Sequence, residues 1–284
     1  MSINVIAEIG SNWVVKNSKN QLQDIIRAIE ITAEQGATGV KFQFGLDKLY
    51  SRERTPEIWN KMQGLRFPVE ALPQIHACAK AHNLQLWASI FDVKLVNQVA
   101  PMLDGLKVAS GDLTYDRMVD TIAHASHRCK IPMAISTGAA WREEILHALE
   151  TALDNIPQRL ILMTCVSEYP TRIENANLGL LLPFKKHVDE LGYSDHTLDE
   201  LSAQLAIAIG YTVFEKHFAP WQNDNSPDMS TSIVRDKLGK YIQALNVAYE
   251  VTRGKPKMLT WAEEKERLWA RRGEDGLRPM EGAR

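Results

Sequence analysis

Apolar and polar positions along the chain fall into two alternating rhythms. Short β-rich runs give way repeatedly to longer stretches with the apolar spacing of an amphipathic helix. The strand-type runs are Asn4–Gly10, Thr38–Phe44, Leu84–Ile90, Gly105–Ser110, Pro132–Gly138, Arg159–Val166, Glu190–His196 and Tyr211–Phe218. The helix-type stretches include Gln21–Gln35, Val69–His82, Tyr115–His127, Ala140–Leu153 and Leu198–Ile209. This order predicts repeated βα units with a parallel sheet. Eight units in roughly 250 residues are the arithmetic of an α/β protein of the (β/α)8 TIM-barrel type. A doubly wound open sheet is the alternative, but no Gly-rich dinucleotide fingerprint follows the first strand.

The pattern also assigns faces. In Val40-Lys41-Phe42-Gln43-Phe44, alternation puts the three apolar residues under the outer helices and leaves Lys41 and Gln43 pointing into the barrel. The same parity sets Glu8 beside Ile6 and Glu215 beside His217. Charges buried in this way are costly unless a partner or ligand engages them. Two regions fall outside the repeat. Gly45–Pro68 is long and polar and is expected to form a lid over the strand C-termini. A helical stretch, Trp261–Arg272, and a basic tail follow the barrel, so the expected organisation is a catalytic barrel over 1–258 and a tail over 259–284, with no second domain.

Composition narrows the function classes. Lys and Arg number 33 against 35 Asp and Glu, a formal charge of −2 over 284 residues. That balance gives no electrostatic footprint for a nucleic-acid partner. With 45% hydrophobic and 24% charged residues there is ample material for a large core. No apolar run approaches membrane-spanning length, and MSINVIAEIG reads as a strand rather than a signal peptide. Cys78, Cys129 and Cys165 lack metal-site spacing and are expected to be free thiols, which points to a cytoplasmic protein without membrane or nucleic-acid partners.

Polar residues gather where a barrel of this type builds its active site, at the strand C-termini. Lys41 and Lys107 suit phosphate or carboxylate, and the hydroxyls of Ser110, Ser136, Thr137 and Ser194 can donate to the same oxygens. Ser89 and Asp112 stand at the ends of the third and fourth strands. His196 and His217, on adjacent strands, form a candidate pair of ligands for one divalent metal, leaving positions open for water and substrate. Asp195 and Glu215 are candidates to orient those rings. Each has a plainer reading. A lone histidine at a strand end is more often structural, Ser136-Thr137-Gly138 reads also as turn and helix-cap chemistry, and Lys216 reads as snorkelling between helices. Cys165 reads as a small buried residue without a redox role.

Taken in order, the strand-end motifs resemble those of the sialic acid synthase family, the phosphoenolpyruvate-dependent synthases of nine-carbon acidic sugars. The carrying residues are Ile6 to Asn12, Val40 to Gln43, Lys107 to Gly111, Ile135 to Gly138, Cys165 to Pro170, Gly192 to Thr197, Glu215 to Phe218, and Pro227-Asp228 with Ser232. The likeness runs over about residues 4–255. It implies condensation of phosphoenolpyruvate with an open-chain N-acylhexosamine, most familiarly N-acetylmannosamine. On this resemblance Lys41, Lys107, Ser110, Ser136, Ser167 and Ser194, with Ser89 as a weaker match, correspond to phosphoenolpyruvate-binding positions. His196 and His217 correspond to ligands of Mn2+ or Mg2+. Glu8, Gln43, Tyr169 and Asp228 correspond to positions that hold or orient the sugar. The catalytic set implied is Glu8, Asp112, His196 and His217, and Thr137 and Asp195 join the substrate-binding set.

Three departures stand out. Trp13 follows Asn12 where the family commonly has His, Asp112 replaces an expected Glu, and Ser167 replaces an Asn found in some members. Trp13 is expected to alter the acceptor side of the pocket. The family's C-terminal antifreeze-like domain, which is swapped across a dimer, is expected to be absent. Either the basic tail takes over its role or acceptor specificity differs. A homodimer is the expected assembly, through barrel helices or the tail. Related synthases of legionaminic, pseudaminic or deaminated nonulosonic acid, or of a phosphorylated acceptor, are alternatives. A Schiff-base aldolase would place a lysine on the sixth strand, and Arg159–Pro170 has none. A barrel that binds a sugar or a partner without catalysis is the reading from a different class.

Overall fold

Alternation in β1, Asn4–Gly10, sends Val5, Ala7 and Ile9 outward into the main apolar core and turns Ile6 and Glu8 inward. The computed structural model describes residues 3–15, 18–222, 226–253 and 259–279. Within them follow α1 Gln21–Glu34, β2 Gly39–Phe44, α2 Leu46–Leu49, α3 Pro56–Gln63, α4 Leu72–Ala81, β3 Gln85–Ile90 and α5 Val93–Val99. The chain continues with β4 Gly105–Val108, α6 Asp116–Cys129, β5 Met133–Ser136, α7 Arg142–Leu153, β6 Leu160–Cys165 and β7 Glu190–Asp195. It ends with α8 Leu201–Ala208, β8 Val213–Ala219, β9 Ile233–Val234, α9 Arg235–Thr252 and α10 Trp261–Ala270.

Strands β1 to β8 pair in sequence order, all parallel, and β1 pairs with β8 to close the barrel. Parallel neighbours require a crossover, and the amphipathic helices supply it while covering the outward apolar faces. Val40, Phe42 and Phe44 lie in that outer core with Ile25 and Ile29 of α1, as alternation requires. The inside of the barrel is layered. Its lower part is apolar, built by Ile6, Trp87, Ala134, Ile161, Met163 and Val213. Trp87 fills this layer because its register partner is Gly105, where a Cβ would lie 2.4 Å from the indole ring. Above this layer the inward positions become charged.

Two connections depart from the simple repeat. Between β6 and β7 the described residues hold only short 3-10 turns, Ile173–Asn175 and Leu182–His187. The segment expected as a lid, Gly45–Pro68, carries α2 and α3, and Leu46, Met62 and Leu65 pack there with Val14 and Phe91. β9 is too short to show a period of its own and pairs only with the end of β8.

Two compact units divide the chain, Met1–Glu250 and Val251–Arg284. The expected junction at 258 falls on residues 254–258, which lie outside the described residues. In the second unit, α10 opens with a capping box in which Thr260 Oγ1 accepts from Glu263 N–H at 3.1 Å and Glu263 Oε2 accepts from Thr260 N–H at 2.8 Å. All three cysteines are free thiols. No helix among the described residues is long and apolar enough to cross a membrane.

Candidate active site

Parallel register sets the charged floor side by side: Glu8 pairs with Lys41, Ser89 with Lys107, Ser194 with Glu215, and His217 with Glu8. Lys41 Nζ stands 2.5 Å from Glu8 Oε2, 3.1 Å from Ser89 Oγ and 3.6 Å from Glu215 Oε2. Lys107 Nζ lies 2.6 Å from Glu215 Oε1 and 3.2 Å from Ser194 Oγ, and Ser194 donates to the same carboxylate oxygen at 3.0 Å. Gln43 Nε2 donates to Glu8 Oε1 at 2.9 Å. All four charged side chains are buried.

The two carboxyl groups differ in electrostatic setting. Burial pushes Glu8 up to about 7, against the pull of its single close cation, Lys41. Burial would raise Glu215 too, but Lys107 and Lys41 together outweigh it and hold that carboxyl well below its ordinary range. Lys41 is lifted above its usual value because Glu215 and Glu8 outweigh the cost of burying its charge.

Over this floor opens a cavity of about 270 Å³, lined by Glu8, Lys41, Gln43, Ser89, Lys107, Ser110, Ser136, Ser167, Tyr169, Ser194, His196, His217 and Asp228, with Phe91, Cys165 and Glu215. One wall is a cluster of hydroxyls. Gly138 N–H donates to Ser110 Oγ at 3.0 Å, and Ser136 Oγ is buried without a partner. Gly138 is needed for space, since a Cβ there would lie 2.5 Å from Ser167 Oγ and 2.9 Å from Ser110 Oγ. On the opposite side Gly10 turns with φ +53°, and its missing Cβ lets Asp228 Oδ2 approach to where that atom would be only 2.6 Å away. Asp228 accepts from Ser11 N–H at 3.0 Å and Ser11 Oγ at 2.7 Å.

His196 and His217 face each other across the mouth, ring centroids 5.2 Å apart and inclined by 49°. His196 Nδ1 is 2.8 Å from Val166 O, so it carries the proton and leaves Nε2 with a free lone pair. His217 Nδ1 is buried with no hydrogen-bond partner, and burial pushes the ring down to about 4, which keeps it neutral. Burial would lower His196, but Cys165 beside it and Val166 O outweigh that effect and raise His196 above its ordinary value, while a free ring nitrogen on each imidazole still suits a divalent cation. Among the described residues no group of three or more His, Cys, Asp or Glu could hold a metal ion. Tyr169 stacks on His196 at 4.4 Å, and burial pushes its phenol up to about 12.

Several sequence expectations are corrected by strand parity. Asp195 does not line the cavity: it is fully buried on the outer face of β7, paired with Lys216. Lys216 therefore does not snorkel. Thr137 also points away, donating to Met163 O at 3.0 Å and lining a neighbouring cavity of about 620 Å³. Asp112 stands beside the cavity-lining Ser110 and Gly111 without lining the cavity itself, with Oδ2 buried and unpartnered and its carboxyl raised by burial to about 6. Trp13 packs edge-on against Phe67 in the outer core, centroids 5.8 Å apart, and does not line the cavity. Glu215 serves the lysines as well as its neighbour His217, and His196 is oriented by Val166 O. Phe91 was missed, and Gly10 and Gly138 stood in the motifs without a role of their own. The two glycines carried a signal, each closing a strand-end motif where the chain must turn under a crowded site.

A model of the NeuB family matches residues 28–257. N,N'-diacetyllegionaminic acid synthase of Legionella pneumophila is 27% identical over 270 residues, 88% of this chain and 73% of that protein. Pseudaminic acid synthase of Campylobacter jejuni is 27% identical over 261 residues, 86% of this chain and 73% of that protein. The chain spans 58% to 73% of the length of the relatives it matches. In fold it resembles the N-acetylneuraminic acid synthetase of Leptospira borgpetersenii, with a TM-score of 0.81 and 24% identity over 94% of this chain and 90% of that one.

Proposed function

The chain belongs to the NeuB family, and from that premise we propose that it condenses phosphoenolpyruvate with an open-chain N-acylhexosamine to give a nonulosonic acid and phosphate. In this reaction C3 of phosphoenolpyruvate attacks the aldehyde carbon of the acceptor. Water adds at C2, and the C2–O bond to phosphate breaks.

The observation that carries the reading is the pairing of two buried lysines with a wall of seryl hydroxyls beneath two histidines. A trianionic donor needs cations and hydrogen-bond donors in a site shielded from water, and Lys41, Lys107, Ser110, Ser136, Ser167 and Ser194 line one. The lysines are already paired with Glu8 and Glu215, so they are held in place before the donor arrives. Glu8, at about 7, can hold or release a proton at its carboxyl oxygens near neutral pH. Gln43, Asp228 and Tyr169 offer hydrogen-bonding groups on the acceptor side, where the sugar's hydroxyls and amide would be fixed. Holding both substrates in register over the floor is itself a large share of such catalysis. His196 and His217 would hold Mn2+ or Mg2+, which supplies Lewis acidity toward the aldehyde oxygen as it gains charge.

N-acetylmannosamine is the acceptor favoured here, and the diacetamido trideoxy sugars that lead to legionaminic and pseudaminic acids are the alternatives, since relatives named for both are equally similar. The test is phosphate release from phosphoenolpyruvate with Mn2+ across N-acetylmannosamine, mannose and the 2,4-diacetamido-2,4,6-trideoxy acceptors, with His217→Ala as control. Release that requires one acceptor and vanishes in the control supports the proposal and identifies the product. Silence with every acceptor from a folded, metal-loaded protein overturns it.

A further inference from the structure

A second charged pair lies on the outer face of β7 and β8, one residue before each histidine. Asp195 and Lys216 are register partners, and theirs is the last backbone pair of the β7–β8 ladder. The histidines follow immediately, where that pairing ends. Lys216 Nζ is 2.9 Å from Asp195 Oδ2, with both side chains wholly buried. Lys216 also donates to Thr197 O at 2.5 Å, and its ammonium lies 5.2 Å from the Tyr241 ring centroid. Tyr241 Oη donates to Asp195 Oδ2 at 3.0 Å, while Asp195 Oδ1 accepts from Thr197 N–H and Oγ1 at 2.8 and 2.7 Å.

An ion pair is an uneconomical way to fill a core, because well-packed apolar residues of similar volume often stabilise a protein as well or better. Geometry suggests what is gained. Inward residues at 196 and 217 inherit their direction from the outward residues at 195 and 216. A metal held by two protein ligands has no third side chain to restrain it, so the scaffold must fix the spacing of the two rings. The β7–β8 ladder cannot do so past Asp195, and the β1–β8 ladder reaches His217 alone. The side-chain lock stands where the ladder stops.

We propose that Asp195, Lys216 and Tyr241 form a positioning lock for the metal site, holding the His196 and His217 rings at their separation of 5.2 Å and tilt of 49°. The inference rests on the reading of those histidines as the ligands of the divalent cation.

The test compares Tyr241→Phe and the double variant Asp195→Asn/Lys216→Met with the full wild-type chain. The double variant removes both charges together and leaves neither stranded. Mn2+ affinity is read by electron paramagnetic resonance titration, ligand geometry by the visible spectrum of the Co2+-loaded protein, and folding by circular dichroism. Binding of phosphoenolpyruvate to the metal-free protein is followed by calorimetry. The expected result is a folded double variant with Mn2+ affinity at least tenfold weaker, an altered Co2+ spectrum and metal-free phosphoenolpyruvate binding within twofold of wild type. Tyr241→Phe is expected to weaken Mn2+ two- to fivefold, and it decides alone if the double variant does not fold. Folded variants with wild-type Mn2+ affinity and Co2+ spectrum overturn the lock. His217→Ala with undiminished Mn2+ affinity would remove the metal reading and the lock with it, whereas loss of Mn2+ in His217→Ala beside unchanged lock variants removes the lock alone.

Discussion

Glu8 and Glu215 share two lysines unequally, and this sets a pH signature. Glu8 is raised from 4.5 to about 7, so between those values the folded chain keeps a proton that the unfolded chain has lost. Its contribution to stability is complete below the unfolded value and declines as pH rises through the folded one. Glu215 is depressed, and its contribution is present above the unfolded value and lost as pH falls through the acid range. Glu8→Gln imitates the protonated acid at every pH. Wild type and variant should therefore be closest in stability near pH 5, and wild type should fall behind toward pH 8, with a slope of at most about 1.4 kcal/mol per pH unit. Urea unfolding of both proteins at pH 5, 6.5 and 8 measures it, and parallel curves would refute the assignment. Gly138 gives a second expectation. An Ala there presses on the hydroxyls of Ser167 and Ser110, which can rotate away, so the fold should survive while the hydroxyl wall is disarranged. Stability should change by no more than about 1 kcal/mol while the KM for phosphoenolpyruvate rises about tenfold, roughly 1.4 kcal/mol of binding. Steady-state kinetics beside thermal melts separates the two effects.

The elements were legible to different degrees, for physical reasons. β1 begins and ends where its apolar alternation does, and the other seven barrel strands lie within three residues of the pattern's limits at either end, because each buries one face under helices. α2, α3 and β9 are too short to show a period, and α5 was hidden in a seven-residue stretch. Between β6 and β7 no helical period exists to be read, and the chain uses 3-10 turns instead. The site was legible as polar strand ends, but not its pairing, since which lysine meets which carboxylate depends on register between distant strands. Asp195 and Thr137 were misplaced although parity held the answer: Ser194 and Ser136 face inward, so their neighbours face out. The same logic makes Gly105 a strand-level constraint. Gly105→Ala would drive a methyl into the Trp87 indole at 2.4 Å, and neither the ring nor the ladder can yield easily. A loss of about 1–3 kcal/mol is expected in chemical denaturation, and Gly105→Ala/Trp87→Phe should recover part of it.

At the scale of the molecule, the strands and the buried residues of the main core among the described residues lie between Ile3 and Leu245, with Ala248 and Tyr249 packed against them. A chain ending at Arg253 is therefore expected to melt in one cooperative transition and keep the far-ultraviolet signature of the barrel. A broad or multi-step melt would show that residues beyond α9 are needed for folding. Closure carries a different consequence, one of time. Val5 finds its partner in Phe214, so the first strand of the barrel is sealed by its last. A chain synthesised from its N-terminus holds β1 as an open edge, with its apolar outer residues ready to pair elsewhere, until β8 has emerged. The folded ring has no such edge. For this barrel, stray pairing at that edge is thus a hazard of the nascent chain and not of the finished ring.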